Sequence, residues 1–143
     1  MMIDRLYQDR TLDALSLSLQ FREQRHRVLA ENVANIDTPN YRTKRLDTAG
    51  FEQTLKEAMD ATAPDRRLQP LRGAQVESTR TGRLIAKPEL NPDANALFHD
   101  GTNARLEDLM GEAATNQLEH NLVSNLLRAR FDLMLTAIRG RSA

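Results

Sequence analysis

The chain has no cysteine and no tryptophan. The first absence excludes disulfides and thiolate metal sites and leaves the redox compartment undetermined. Aromatic residues make up only 4% of the 143 residues, and the mean hydropathy is -0.58, so few large side chains are available to fill a core. Because the favourable term in folding scales with apolar area removed from water, such a chain gains little from burial within itself, and partners are expected to supply the rest. Charge of one sign is also missing: 20 Lys and Arg balance 20 Asp and Glu. No global field draws the chain to a polyanion. No stretch is apolar for long enough to span a bilayer, and Met1-Met2-Ile3-Asp4-Arg5 lacks the apolar run and small-residue cleavage site of a secretory signal. Export, if it occurs, needs another route.

What is present is helical periodicity at both ends. Positions 12, 15, 19, 22, 26, 29, 33 and 36 alternate steps of three and four and carry Leu12, Leu15, Leu19, Arg22, His26, Leu29, Val33 and Ile36, a coiled-coil-like seam. Leu17, Phe21 and Val28 lie off the seam and widen the apolar surface, while Arg22, Glu23, Gln24, Arg25 and Arg27 are expected to form a wet face. The pattern predicts a helix over about 9–35. It must stop at Asp37-Thr38-Pro39, because proline disfavours helical geometry in the residue before it and lacks a backbone donor. Asn40 follows in the turn position that prefers positive φ, which Asn tolerates better than most residues. A short helix over 51–61 would place Phe51, Leu55, Ala58 and Met59 on one face.

From 63 to 95 the texture changes. Pro64, Pro70, Gly73, Gly82, Pro88 and Pro92 punctuate polar runs, and only Val76 and Leu84-Ile85 offer strand-like cores. This reads as an irregular segment or a weak β-hairpin, with disorder in isolation a further reading. His99-Asp100-Gly101 is a turn signal before a second long helix from near Asn103 to Gly140, where glycine stops the helix and Arg139 suits its negative end. This helix carries two adjacent stripes, Leu118/Leu122/Leu126/Ala129/Leu133/Ala137 and Val123/Leu127/Phe131/Met134/Ile138. One partner helix cannot cover so wide a face, so part of it is expected to meet other molecules.

Candidate chemistry is sparse. His26 and His120 have Ala30 and Ser124, not ligands, four residues on; His99 stands alone; no H-x-x-x-H or paired C-x-x-C occurs. Glu107, Asp108, Glu112 and Glu119 lack the E-x-x-H of carboxylate-bridged metal bundles and read as a solvated face. Arg22, Arg25, Arg27, Arg42, Lys44 and Arg45 are basic, but Glu23, Glu31, Asp37 and Asp47 dilute them. No catalytic, metal or cofactor-binding residue is expected, and no nucleic acid or direct membrane insertion. A small cytoplasmic helical adaptor or nucleic-acid-associated protein is the rival class, and a small enzyme a third.

The segment Ala30-Glu31-Asn32-Val33-Ala34-Asn35-Ile36-Asp37-Thr38-Pro39-Asn40-Tyr41-Arg42, closing a long N-terminal helix, resembles the A-x-N-x-A-N-x-x-T-P-G-Y-K motif of the flagellar axial rod and hook family. Asn32, Ala34, Asn35, Thr38, Pro39 and Tyr41 match, whereas Asn40 replaces the usual glycine and Arg42 the usual lysine. The short length, Asp100-Gly101-Thr102-Asn103 and the following Leu106-Glu107-Asp108-Leu109-Met110 are similar to the proximal rod members. The resemblance implies a mainly α fold in which the two long helices pair as an antiparallel coiled coil around an irregular middle. The pattern along the chain divides it into an N-terminal helix (1–36), a corner with a short helix (37–62), a middle segment (63–101) and a C-terminal helix (102–143). The resemblance also implies a non-enzymatic rod subunit of the basal body that transmits torque. Such a subunit is exported into the periplasm through the flagellar export apparatus without a cleaved signal. Its partners are other rod proteins, the ring at the rod base and copies of itself. The expected packing positions are Leu12, Leu15, Leu19, Leu29 and Val33 on the first helix, and Leu118, Leu122, Leu126, Leu127, Phe131, Met134 and Ile138 on the second.

Overall fold

The computed structural model describes residues 10–61, 68–92 and 102–140, with side chains of the last stretch from 105 onward. The elements in chain order are α1 (Arg10–Ala34), β1 (Lys44–Arg45), α2 (Thr48–Asp60), β2 (Val76–Ser78), β3 (Leu84–Ala86), β4 (Glu89–Leu90) and α3 (Thr102–Ile138). The expected turn at His99-Asp100-Gly101 lies outside the described residues.

Two faces of α1 are used, and they do different work. Leu17, Phe21 and Val28, the residues off the heptad seam, are buried with Leu46, Phe51, Leu71, Val76 and Leu84 in the main core. The rings of Phe21 and Phe51 stack with centroids 4.1 Å apart, tying α1 to α2. The seam side of α1 instead faces α3. Arg22 meets Asn116 and Glu119, and Arg25, further along α1, meets Glu112, earlier in α3, so the two helices run antiparallel. At 37 residues, α3 extends roughly 55 Å at the helical rise of about 1.5 Å per residue.

Local rules account for the ends of the elements. After Ala34 the chain closes a turn, with the Tyr41 amide donating to the Thr38 carbonyl over 3.1 Å. Pro39 takes the second position of that turn and Asn40 the third, with φ at 62°, as in a type II turn. At the far end of α3, Gly140 has φ at 62°, and its amide donates to the Ala137 carbonyl. The short helix α2 begins three residues before its expected start. Asp47 stands at its N-cap, and Gly50 in the first turn masks the helical pattern.

Residues 68–92 of the middle segment are more regular than their composition suggests. β2 and β3 form an antiparallel hairpin in the register Val76↔Ala86, Glu77↔Ile85 and Ser78↔Leu84. Its loop is closed by Thr79 N–H to the Arg83 carbonyl at 2.9 Å, and Gly82 supplies the positive φ of 80°. Val76 and Leu84 point from the hairpin into the core, which orders it. A second antiparallel pair, β1 with β4, joins Lys44 to Leu90 and Arg45 to Glu89. Two-residue strands of this kind leave no periodic trace in a sequence.

Candidate functional site: the corner and the helix pair

The corner is held from inside by Asn32. Its side chain is 1% exposed, and its amide behaves as a peptide group placed against β1. Nδ2 donates to the Lys44 carbonyl over 2.7 Å, and Oδ1 accepts from the Lys44 amide over 2.9 Å. Oδ1 also accepts from the Tyr41 hydroxyl at 3.1 Å. Asn32 thus satisfies the chain that returns after the corner, while Asn35 serves the end of the helix itself. Tyr41 itself is half-buried, and its bond to Asn32 ties its hydroxyl to the corner. Burial, then the nearby Glu31 carboxylate, pushes the Tyr41 phenol above its ordinary range. The Lys44 ammonium is also pushed up, first by its hydrogen bond to Glu31 at 2.6 Å and then by the charge of that carboxylate.

The remaining motif positions lie on the outside of the turn. Ala34, Thr38, Pro39 and Asn40 are exposed, and Asn35 is half-buried. Asn35 Nδ2 donates to the Glu31 carbonyl of its own helix at 2.8 Å, and Thr38 Oγ1 reaches Asn35 Oδ1 at 3.4 Å. Asn35 and Thr38 thus staple the end of α1, while Asn32 anchors the strand beyond the corner.

Two further amides of α1 repeat the Asn32 arrangement, and nothing in the sequence announces either. Gln20 Nε2 donates to the Gly82 carbonyl at 2.8 Å, while its Oε1 accepts from the Leu84 amide at 2.9 Å. Gln24 Nε2 donates to the Leu84 carbonyl at 3.0 Å, and its Oε1 accepts from the Ala86 amide at 3.1 Å. The Gly82 carbonyl just before β3 and three successive polar groups on the outer edge of β3 are therefore paired with a helix instead of a strand. The helical pattern puts Gln24 on the wet face; its contacts place it against the hairpin. Two glutamines four residues apart are the available signal, but their spacing does not mark their partners.

The expected packing positions divide between two environments. On α1, Leu29 is buried, while Leu12, Leu15, Leu19 and Val33 are half-buried. On α3, Leu127 and Met134 are half-buried in line with Leu106, Leu109, Ala113, Asn116 and Val123, continuing the three-four spacing toward α1. Leu118, Leu122 and Leu126 are 71%, 60% and 47% exposed, and Phe131 and Ile138 are also exposed. The structure thus turns Val123, Leu127 and Met134 of the second stripe inward and leaves Phe131 and Ile138 outside with the first. Arg22, also expected on the wet face, is buried between α3 and α2: its Nη2 donates to Glu52 at 3.0 Å, and its Nη1 lies 2.8 Å from Glu119.

His26 is exposed and His120 half-buried, while His99 lies outside the described residues. Among the described residues, no three His, Asp or Glu side chains converge as a metal site would require, and no helix is long and apolar enough to cross a membrane. The arrangement offers helix surfaces and a rigid corner.

No protein-family model matches the chain. Curated relatives do. The chain is 26% identical over 146 residues to flagellar basal body rod protein FlgB of Salmonella typhimurium, covering 97% of this chain and 99% of that one. It is 23% identical to flagellar basal body rod protein FlgB of Bacillus subtilis, over 91% of this chain and 94% of the relative. To the protein of the same name from Borrelia hermsii it is 30% identical over 126 residues, 85% of each chain. With likeness on that scale running through both helices and the middle segment, the chain belongs to the FlgB family of flagellar basal body rod proteins.

Proposed function

We propose that this chain is a structural subunit of the flagellar basal-body rod, built into it by burial of its long helices against neighbouring subunits, and that it transmits torque there. Copies of itself, other rod proteins and the ring at the rod base are the partners of this reading. The export apparatus delivers the subunit to the periplasm without a cleaved signal. The function is mechanical, and it assigns no catalytic, metal or cofactor role to any residue.

The observation that carries the proposal is the outer leucine ladder of α3. Leu118, Leu122 and Leu126 recur every four residues and stay exposed, while the seam beside them serves α1. An apolar row of this length on a subunit surface is buried in an assembly or exposed at a cost in solubility. The corner complements it, because Asn32 and the 38–41 turn hold β1, where the chain returns, against α1.

A tagged copy expressed in cells that lack the native chain tests this reading. The tag should restore motility and copurify with detergent-extracted basal bodies. Recovery of the tag only in the soluble cytoplasmic fraction, with motility still absent, would replace the rod reading with that of a cytoplasmic adaptor.

A further inference from the structure

From Leu122 to Met134 hydrophobicity alone does not decide which side of α3 turns inward. Leu122 and Val123 are adjacent in sequence and lie about 100° apart around the helix. Each belongs to an apolar ladder, one facing out and one facing α1, and no Asp, Glu, Lys or Arg stands between Glu119 and Arg128. Rotating α3 by one residue would exchange Val123, Leu127 and Met134 for Leu122, Leu126 and Leu133 with nearly the same apolar area buried in that half, while in the first half it would turn Asp108 and Glu112 inward in place of Leu109 and Ala113.

Polar contacts at the middle of the pair do discriminate. Asn116 is 1% exposed, and its Nδ2 donates to the Arg22 carbonyl at 2.9 Å. The Arg22 guanidinium reaches Glu119 on α3 and Glu52 on α2, and Arg25 Nη2 donates to Glu112 at 3.3 Å. Rotation of α3 would break these contacts together. The layer is also costly, because Asn116 Oδ1 and Arg22 Nε are buried without a hydrogen-bond partner among the described residues. A polar layer that interrupts an apolar seam lowers stability and selects one arrangement over its neighbours.

We propose that the Arg22–Asn116 layer is the phasing key of the helix pair: it holds Val123 and Leu127 toward α1 and thereby keeps Leu118, Leu122 and Leu126 outward. Its consequence for assembly rests on the rod reading of the outer ladder. The phase itself belongs to the free chain.

Because the chain has no cysteine, a single Cys at 122 or 123 reports the phase by its rate of maleimide labelling. In the otherwise native chain Leu122→Cys should label about tenfold faster than Val123→Cys, as an exposed site does beside a protected one. In the R22M/N116L background that ratio should fall to about twofold or less, as both phases become populated. Glu52, whose side chain is 59% exposed, can turn to water, whereas Glu119 Oε2 is buried beside Arg22 and has to leave that place to reach water. A folded double variant that keeps the tenfold ratio overturns the proposal, because leucine packing alone would then set the phase. Should the double variant fail to fold by circular dichroism, R22M/N116L/E119L, which removes the buried carboxylate too, is labelled in its place. A tenfold ratio or a loss of fold there overturns the proposal, since apolar replacement of the whole layer is neutral or stabilising. The labelling is read on the free subunit, so its result stands apart from whether the outer ladder enters a rod.

Discussion

Asn32 and Lys44 are joined as two strands of a sheet are joined, by a donor and an acceptor on each side, although one partner is a helix side chain and the other is backbone. Truncation of that side chain leaves the Lys44 amide, the Lys44 carbonyl and the Tyr41 hydroxyl, all partly buried, without their partner. Asn32→Ala should therefore destabilise the chain by roughly 2–4 kcal/mol, at about 1–3 kcal/mol per stranded buried group with partial relief from water. Asn32→Asp keeps the acceptor but sets a carboxylate against the Lys44 carbonyl, and should be no better tolerated. Denaturant titration checks both, and exchange of the Lys44 amide should speed up in each. Unchanged protection at Lys44 would remove Asn32 from its role as anchor.

What the sequence makes legible and what it hides divide along contact distance. The turn at Asn40, the stop at Gly140 and the heptad spacing of α1 obey rules that act within a few residues, and each is visible in the string. Asn32 stands out as a motif position, but its partner lies 12 residues on, across a corner whose direction is a tertiary property. Gln20 and Gln24 find β3 more than 60 residues away, and Phe21 finds Phe51 across 30. Arg22 is the sharpest case: it occupies a seam position, its charge argues for water, and only the meeting of three helices gives it carboxylate partners. The two stripes of α3 are plain in the sequence, whereas the choice of which residues turn inward depends on that same meeting.

The glutamine pair gives a test confined to the hairpin. Gln20→Ala with Gln24→Ala leaves the Gly82 carbonyl and three backbone groups on the outer edge of β3 to water or to another edge. The Leu84 and Ala86 amides should lose exchange protection by about tenfold or more, while the α1–α3 seam is unchanged. Concentration-dependent association of the double variant is expected too, because an uncovered strand edge invites pairing. Equal protection in variant and native chains would show that the two amides merely line the hairpin.

Alkaline pH should loosen the corner first. Burial and Glu31 raise the Tyr41 phenol above its ordinary value of 10.0, so the folded state holds that proton more tightly than the unfolded chain. The Lys44 ammonium is raised above 10.5 by its hydrogen bond to Glu31 and follows the same sign. Both contributions are complete below the unfolded values and are lost as pH rises through the folded ones, so stability should fall from about pH 10 upward. Tyr41→Phe loses the hydroxyl bond to Asn32, about 1 kcal/mol at neutral pH, but should show a shallower alkaline decline. Denaturant midpoints between about pH 8 and pH 11 measure this, and parallel declines in the two chains would exclude Tyr41 as a contributor.

Position 40 tests the backbone of the corner. Asn40 has φ at 62°, which glycine reaches without steric cost, so Asn40→Gly should swarm as the native chain does. Asn40→Val places a β-branched side chain in the left-handed region at a strain of roughly 1–3 kcal/mol. That strain falls on the turn that returns the chain to β1 and should appear as defective rod assembly with expression intact. Equal swarming by the two variants would show that the corner tolerates another geometry.

The two stripes of α3 can be separated by where an added carboxylate does its damage. Leu127 is half-buried in the seam with α1, so Leu127→Asp forces a charge into the helix pair. The free chain itself should lose several kcal/mol, with a lower unfolding midpoint before any assembly is considered. Leu122, five residues earlier and 60% exposed, offers the opposite case. Leu122→Asp should change the stability of the free chain by no more than about 0.5 kcal/mol, as surface substitutions usually do. It should nevertheless abolish motility and remove the subunit from purified basal bodies, because the carboxylate would be desolvated only when a neighbouring subunit covers the ladder. Phe131→Asp, on the exposed part of the same helix, should behave like Leu122→Asp. Wild-type swarming by Leu122→Asp would leave the outer ladder without a role in the rod, whatever Leu127→Asp does, since a seam variant that unfolds the subunit loses motility under either reading.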